Sequence, residues 1–419
     1  MPGPTMRELA VELYGQLVGH LLGDDWRRFE FRAAADAFER FELGSTVLSE
    51  AIPLVPTANR AHSARRRNFF AELLPEGDLL TDLATQARLP EYDVPGLLAR
   101  FGRDVAGALQ IYDPAQPGEP REPRSMPVTE REIARMLRDP IGQPLGNLAP
   151  AGKTSLNGVQ PKAVLAQVDG EWHRVLDGYP STHILKPRPD RYPTMIFDEE
   201  YGLRIGRRLG LLDYGVTVTE FAGLDTLVIE RYDRAEDSPT GRVHQEDFCQ
   251  ALAIPRTQKY QEQGGAASLA RVQRLLATTA DAASVARLAR LMMLAVALGD
   301  VDLHLKNLAL LHPYRSAATL APAYDLVPLM HQPNDGRLAL AVNGVYRHAD
   351  VTLDDLEREL GSWSPRLSEL ARPTLERIEQ FVEEEVPHPE AYPALRDDVA
   401  RFTRNLLDGR PAGWARNAG

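Results

Sequence analysis

The run from Ser284 to Leu298 constrains this chain most. It is dense in apolar residues, carries one charge, Arg290, between Leu288 and Leu298, and stops at Gly299. A helix that is apolar on nearly every side has to be buried. The Leu288–Leu298 stretch is also too short to cross a bilayer, which takes about 20 residues. The chain therefore needs a helical domain large enough to enclose it. From Gln245 onward the text is mainly helical, and Leu353 to Leu407 continues in that way. Two short strand-like pieces, Leu308 to Leu311 and Leu338 to Val342, interrupt it.

Upstream the text changes character. Glu8 to Tyr14 and Gln16 to Leu22 flank Gly15 as two strands would, Arg27 to Arg32 alternates, and helical text runs from His62 to Leu98. Between Asp113 and Pro127 there are five prolines and few apolar residues. That density opposes both helix and central strand, and marks a domain boundary. Beyond it, Thr129-Glu-Arg-Glu132 is a capping box. Lys162 to Val168 and Glu171 to Leu176 face each other across Asp169-Gly170 as a hairpin. Thr182 to Lys186 reads as a strand and Asp198 to Leu209 as a helix stopped by Gly210. Val216 to Phe221 and Thr226 to Glu230 read as a second hairpin around Gly223. The expected organisation is an N-terminal subdomain over 1–112, a Pro-rich linker over 113–127, a small sheet lobe over 128–234 and a helical lobe over 235–419. A small sheet lobe followed by a helical lobe is the α+β arrangement of a protein kinase.

Composition narrows the function classes. The net charge of −11 argues against a protein that coats nucleic acid or an anionic membrane by itself, and Arg65-Arg66-Arg67 reads as a solvated helix face. Cys249 is the single cysteine, which excludes an intrachain disulfide and a cysteine metal cluster. With no signal-peptide pattern at the N-terminus, a cytoplasmic protein is expected.

Gly299 leads into Asp302-Leu-His-Leu-Lys-Asn307. Phosphoryl transfer needs a carboxylate near the accepting hydroxyl, an amide and a second carboxylate for magnesium, and a lysine for the phosphates. Protein kinases draw the first two from one loop, with Asp and Asn five positions apart. Asp302 and Asn307 have this spacing, between a buried helix and a short strand. Asp325, in Pro322-Ala-Tyr-Asp325, follows that strand, where a metal-binding aspartate belongs. The plainer reading is that Asp302 caps a helix and Asn307 bonds a turn. His304 reads as a brace for the loop, since zinc ligation would need partners the sequence does not offer.

Lys186 ends the apolar run His183-Ile-Leu185, where a lysine reaches ATP phosphates or simply closes a strand at the surface. Ser155-Leu-Asn-Gly-Val-Gln-Pro-Lys162 is the candidate phosphate loop, although with Gly158 alone it fits neither the Walker pattern nor a glycine-rich kinase loop. Ile229-Glu-Arg-Tyr232 ends a strand where a hinge between lobes would pass an adenine. There Tyr232 offers either a ring for the base or ordinary core packing.

Taken in order, these segments resemble the HipA family of bacterial serine/threonine kinases, the toxin halves of HipBA toxin–antitoxin pairs. The resemblance is carried by Ser155–Lys162, Thr182-His-Ile-Leu-Lys186, Ile229-Glu-Arg-Tyr-Asp-Arg234, Gln245-Glu-Asp-Phe-Cys-Gln250, Asp302–Asn307 and Tyr324-Asp325. Phe69-Phe-Ala-Glu-Leu-Leu-Pro-Glu-Gly77 and Gly102-Arg-Asp-Val-Ala-Gly-Ala-Leu-Gln110 are similar to the family's N-terminal subdomain, so the likeness spans nearly the whole chain. It implies Asp302 as the catalytic aspartate, with Asn307 and Asp325 holding Mg2+. It implies ATP contacts from Lys186, His304, Lys306, Asn307, Tyr324 and Asp325, with Glu230, Arg231 and Tyr232 on the adenine side. Asn157, Gly158, Val159, Gln160, Pro161 and Lys162 would cover the phosphates.

Ser155 matches the serine that family members autophosphorylate, with Thr154 beside it as the alternative acceptor. The family also implies a small HipB-like helix-turn-helix antitoxin that makes most of the DNA contact. The implied protein substrate is a translation component, with an aminoacyl-tRNA synthetase, glutamyl-tRNA synthetase, as precedent. Leu303, Leu305 and Asn157 depart from the family pattern, standing where well-known members carry small residues. Two other functions stay open at this point: a kinase-like enzyme acting on a small molecule, and a catalytically silent antitoxin-binding module.

Overall fold

A computed structural model describes residues 8–23, 28–56, 59, 62–156, 158 and 160–413. The chain forms two compact units. One comprises Met1–Pro187, Thr219–Pro255 and Leu311–Ser316; the other comprises Arg188–Val218, Arg256–Leu310 and Ala317–Gly419.

The first unit opens with the expected hairpin of β1 (Glu8–Leu13) and β2 (Gln16–Leu22), turned at Tyr14 and Gly15, both at positive φ. Strand β3 (Glu30–Ala33) is later and shorter than its sequence pattern, and Arg27 lies outside the described residues. Helix α1 (Ala35–Phe41) was not expected, and the helical text from His62 resolves into α2 (Ser63–Ala71), α3 (Gly77–Ala87) and α4 (Val94–Phe101). The break before α4 has a local cause: Pro90 interrupts the chain, and the Asp93 carboxylate caps the new helix through the Gly96 N–H at 3.0 Å. Strand β4 (Leu109–Tyr112) completes a sheet of order β3-β2-β1-β4.

The Pro-rich stretch needs correcting. Its end forms β5 (Arg124–Pro127), which pairs antiparallel with β7 (Glu171–Leu176). β5 sits at the sheet edge, where a proline costs no ladder bond. Nor does 113–127 separate two cores. Leu9, Phe69, Leu97 and Ile111 belong to one hydrophobic cluster with Leu145, Leu156, Val164 and Val175.

After β5 come α5 (Glu130–Arg138), with the capping box of Thr129 and Glu132 formed, then β6 (Ala163–Val168), β7 and β8 (His183–Pro187). Asp169 and Gly170 take the positive φ that the β6–β7 hairpin requires. With β9 (Val216–Phe221) and β10 (Leu224–Glu230), the second sheet has the order β5-β7-β6-β8-β10-β9. Ile133, Met136 and Leu137 of α5 pack on Leu165, Leu185 and Val228 of this sheet. The helical text expected from Gln245 begins instead with a short strand, β11 (His244–Asp247), followed by α7 (Phe248–Ala251), which starts from a capping box of Asp247 and Gln250.

The second unit is mainly helical. Its centre is α9 (Ala282–Leu298), capped by the Asp281 carboxylate through the Ser284 N–H at 2.9 Å. Around it pack α6 (Met195–Arg208), α8 (Leu269–Thr279), α12 (Ala371–Glu384) and α13 (Leu395–Leu407). Gly202 on α6 permits a close approach, since a Cβ there would overlap the Leu326 carbonyl oxygen. The remaining elements are β12 (Ala309–His312), β13 (Thr319–Leu320), β14 (Arg337–Val342), β15 (Val345–Arg347), α10 (Leu353–Trp363) and α11 (Pro365–Ser368). Among the described residues, no helix is long and apolar enough to cross a membrane.

Candidate active site

The loop Asp302–Asn307 follows α9 through a Schellman turn. Gly299, at φ 69°, donates its N–H to the Val296 carbonyl at 3.2 Å, and Asp300 donates to the Ala295 carbonyl at 2.9 Å. The loop then bonds to itself. The Asp302 carbonyl accepts from the His304 N–H at 2.7 Å and from the Asn307 side-chain amide at 3.0 Å. The His304 carbonyl accepts from the Asn307 N–H at 2.9 Å, closing a 3-10 turn over Leu305–Asn307.

The amide of Asn307 is thereby oriented. Its NH2 donates to the loop, which leaves the amide oxygen as the acceptor for a ligand or the donor atom for a metal. Asp325 adopts a left-handed backbone at φ 56°, and its charge acts on both Asp300 and His304. The Tyr324 hydroxyl donates to the Lys306 carbonyl at 2.8 Å, tying the Asp325 segment to the loop. Asp302, His304, Lys306, Asn307, Tyr324 and Asp325 are thus assembled within one unit.

Burial holds the His304 imidazole below its ordinary pKa, with the carboxylates of Asp302 and Asp325 pulling the other way. Its ring meets Tyr260 edge-on at 5.2 Å. A buried neutral imidazole fits a brace better than a base. Asp302 is half-buried and its Oδ1 accepts from the Tyr260 hydroxyl at 2.7 Å. Behind it, Asp300 is 1% exposed and accepts the Asp302 N–H at 3.0 Å. Burial, reinforced by Asp302 and Asp325, raises the Asp300 carboxyl well above the usual carboxylate range.

No group of three or more His, Cys, Asp or Glu placed to hold a metal occurs among the described residues. One amide oxygen and one carboxylate, Asn307 and Asp325, nevertheless form a set of hard oxygen donors. That suits magnesium, which completes its shell with phosphate oxygens and water.

The other sequence-derived residues lie in the first unit. Lys186 is buried on β8, in register with Leu227 of β10. Lys162 is also buried, and its ammonium lies against Gly158, whose φ is +112°. Gln160 is half-buried and Pro161 exposed, while Asn157 and Val159 lie outside the described residues. Glu230 is exposed at the end of β10, and the Tyr232 hydroxyl bonds the Gln245 side chain.

The Arg231 side chain is turned into the protein. Its guanidinium is engaged by Asp233 at 2.7 and 2.9 Å, Ser181 Oγ at 2.8 Å and the Val105 carbonyl at 3.0 Å. The charge is neutralised inside the protein, so this side chain is a structural pillar. Thr154 and Ser155 are buried as well. Thr154 bonds Asn147 and Asp104, and the Ser155 hydroxyl donates to the Leu73 carbonyl at 2.8 Å.

Two site residues were not foreseen from the sequence, Tyr260 and Asp300. Asp300 could have been flagged as an acid directly after a helix stop. Tyr260 carries no local signal.

Comparison with known proteins agrees along the chain. The HipA N-terminal domain model matches residues 9–112, and the HipA-like C-terminal domain model matches residues 154–386. The Sinorhizobium fredii protein Y4mE is 30% identical over 398 residues, covering 91% of this chain and 93% of its own length. The serine/threonine-protein kinase toxin HipA of Shewanella oneidensis is 26% identical over 426 residues, covering 95% of this chain and 93% of its own. In the solved complex of HipA, HipB and operator DNA from Shewanella oneidensis MR-1, one chain superposes with a TM-score of 0.76 at 22% identity, covering 96% of both chains. The α+β, kinase-like fold expected from the sequence is met.

Proposed function

The chain belongs to the HipA family of kinases, and we propose that it is a serine/threonine protein kinase that uses Mg-ATP. The observation that carries this reading is the built loop: Asp302 is held at its backbone and side chain while Asn307 is oriented by the same turn. Asp302 takes the proton of an accepting hydroxyl as that oxygen attacks the γ-phosphorus, and ADP leaves. Asn307 and Asp325 would hold Mg2+, which supplies charge neutralisation on the phosphate oxygens. Lys186 and the Gly158–Lys162 segment are the phosphate contacts, and the Glu230–Tyr232 strand end serves the adenine through its backbone and the Tyr232 ring.

Ser155 is the proposed autophosphorylation site, with Thr154 as the alternative acceptor. In this conformation the Ser155 hydroxyl is shut inside the protein, so modification requires the segment to leave its seat. A phosphate adds roughly two negative charges, which prevents return and switches the kinase off. The relative solved with HipB and operator DNA supports a HipB-like helix-turn-helix antitoxin as partner. The acidic net charge of −11 agrees with leaving the DNA contact to that partner. The proposed role is a cytoplasmic toxin that arrests growth by phosphorylating a translation component, with glutamyl-tRNA synthetase the first substrate to try.

Labelled phosphate from γ-labelled ATP should reach protein with the wild type and not with Asp302→Asn. Equal labelling by the two would refute the assignment of Asp302.

A further inference from the structure

Tyr260 reaches Asp302 from a segment 42 residues away. What brings the two together is one residue of β14. The Ala339 N–H donates to the Val301 carbonyl at 2.9 Å, and the Ala339 carbonyl accepts from the Gln261 N–H at 2.9 Å. Val301 and Gln261 are the chain neighbours of Asp302 and Tyr260, so a single backbone unit clamps both. The clamp is doubled by the Gln261 side chain, whose Oε1 accepts from the Ala341 N–H at 2.9 Å. The Tyr260 ring is fixed separately, edge-on to His304 at 5.2 Å, with the Lys259 ammonium 5.6 Å from its centroid.

We propose that Tyr260 is a positioning residue for phosphoryl transfer. Its hydroxyl holds Oδ1 of Asp302, so that Oδ2 is the oxygen presented to the accepting hydroxyl. The inference rests on Asp302 being the base. A carboxylate on a free Cβ–Cγ bond samples orientations in which neither oxygen faces the acceptor. Here Tyr260 restrains that rotation at Oδ1, while Asp300 fixes the backbone from which the side chain projects. Among the described residues Oδ2 takes no hydrogen bond, which leaves it the working oxygen. A hydrogen bond to a charged group of this kind is stronger than a neutral one. Losing it during transfer therefore slows the chemical step by about tenfold or more without altering what binds.

The test is Tyr260→Phe, which removes the hydroxyl and keeps the ring on His304. In steady-state kinase assays kcat should fall about tenfold or more, with KM for ATP and for the protein substrate unchanged. The thermal midpoint should stay at the wild-type value, and mass spectrometry should find no phosphate on Tyr260 of the wild type. An unchanged kcat overturns the proposal. So does a fall in kcat accompanied by higher KM and a lower midpoint, which is the signature of a purely structural tyrosine. Phosphate on Tyr260 also overturns it, because the residue is then an acceptor. Asp302→Asn run alongside separates the levels: activity retained there removes the base, whereas a dead Asp302→Asn beside an unaltered Tyr260→Phe removes only the role given to Tyr260.

Discussion

The Ser155 hydroxyl donates to the Leu73 carbonyl at 2.8 Å across 82 residues of chain, and both residues are buried. The Ser155 N–H donates in the same region to the Asp104 carbonyl at 3.0 Å. The segment before the proposed phosphate loop is therefore docked by polar bonds that a charge would break. Ser155→Ala should cost about 1 kcal/mol and leave ATP binding near wild type, since it removes one neutral bond. Ser155→Asp puts a charge against a buried carbonyl, and expulsion of the segment is its cheapest relief. Calorimetric titration with Mg-ATP should show binding lost in Ser155→Asp, with new proteolytic cleavage between Pro150 and Lys162.

Asp233 anchors the buried ion cluster of the first unit. It accepts from Arg231 at 2.7 and 2.9 Å and from the Gly107 N–H at 2.7 Å, and it lies 3.1 Å from Arg234. Burial alone would raise its pKa, but the guanidiniums of Arg231 and Arg234 outweigh that and hold the carboxyl far below the usual range. Asp233→Ala leaves two buried cations short of a counter-charge, which should cost about 3–5 kcal/mol in urea unfolding. Asp233→Asn, which keeps the Gly107 bond, should cost less.

His244 makes the first unit sensitive to acid. Burial pushes its pKa down to about 3, helped by the charge of His312 and opposed by the hydrogen bond to the Leu48 carbonyl and by Asp233. The folded value lies below the unfolded value of 6.5, so the unfolded chain binds the extra proton. The stability is present in full above pH 6.5 and is lost as pH falls from there toward 3. Wild type should lose on the order of 3 kcal/mol by pH 4 through this group alone. His244→Gln, which retains a donor for Leu48, should flatten that slope in urea midpoints measured at pH 7.5, 6 and 5.

Local signals account for much of what was legible in the sequence. The Asp169-Gly170 hairpin, the capping box at Thr129 and the stop at Gly299 each depend on a few adjacent residues, and the structure forms all three. The short strand β11 was hidden because four residues carry too little pattern, and its text merges with the helix start at Phe248. The ion cluster around Arg231 was hidden because Ser181 and Val105 come from distant segments of the chain. Neighbouring side chains on an extended chain point to opposite sides, so Arg231 faces a different environment from Glu230 and Tyr232. The contacts of Tyr260 with Asp302, and of Ser155 with Leu73, join residues 42 and 82 positions apart, and no periodicity reports such pairs.

Gly299 joins the stability of α9 to the placing of the Asp302–Asn307 loop. It holds φ 69°, and a Cβ there would lie 2.7 Å from Met330 Cγ and 3.0 Å from Phe402 Cε2. The left-handed conformation costs a non-glycine residue roughly 1–2 kcal/mol by itself, and the overlap adds to it. The chain relieves both by unwinding the end of α9, which frees the Asp300 N–H from the Ala295 carbonyl. Asp300 supports the Asp302 N–H and stands at the start of the loop, so the error passes directly to the proposed base. Gly299→Ala should therefore lower kcat more steeply than its loss of stability predicts, whereas Gly210→Ala should change stability alone. Gly210 has φ 72°, ends α6 with open space around it, and makes the proper control. Parallel urea unfolding and kinase assays on the two variants check this: equal effects on kcat would mean that the turn at Gly299 has no part in placing the loop.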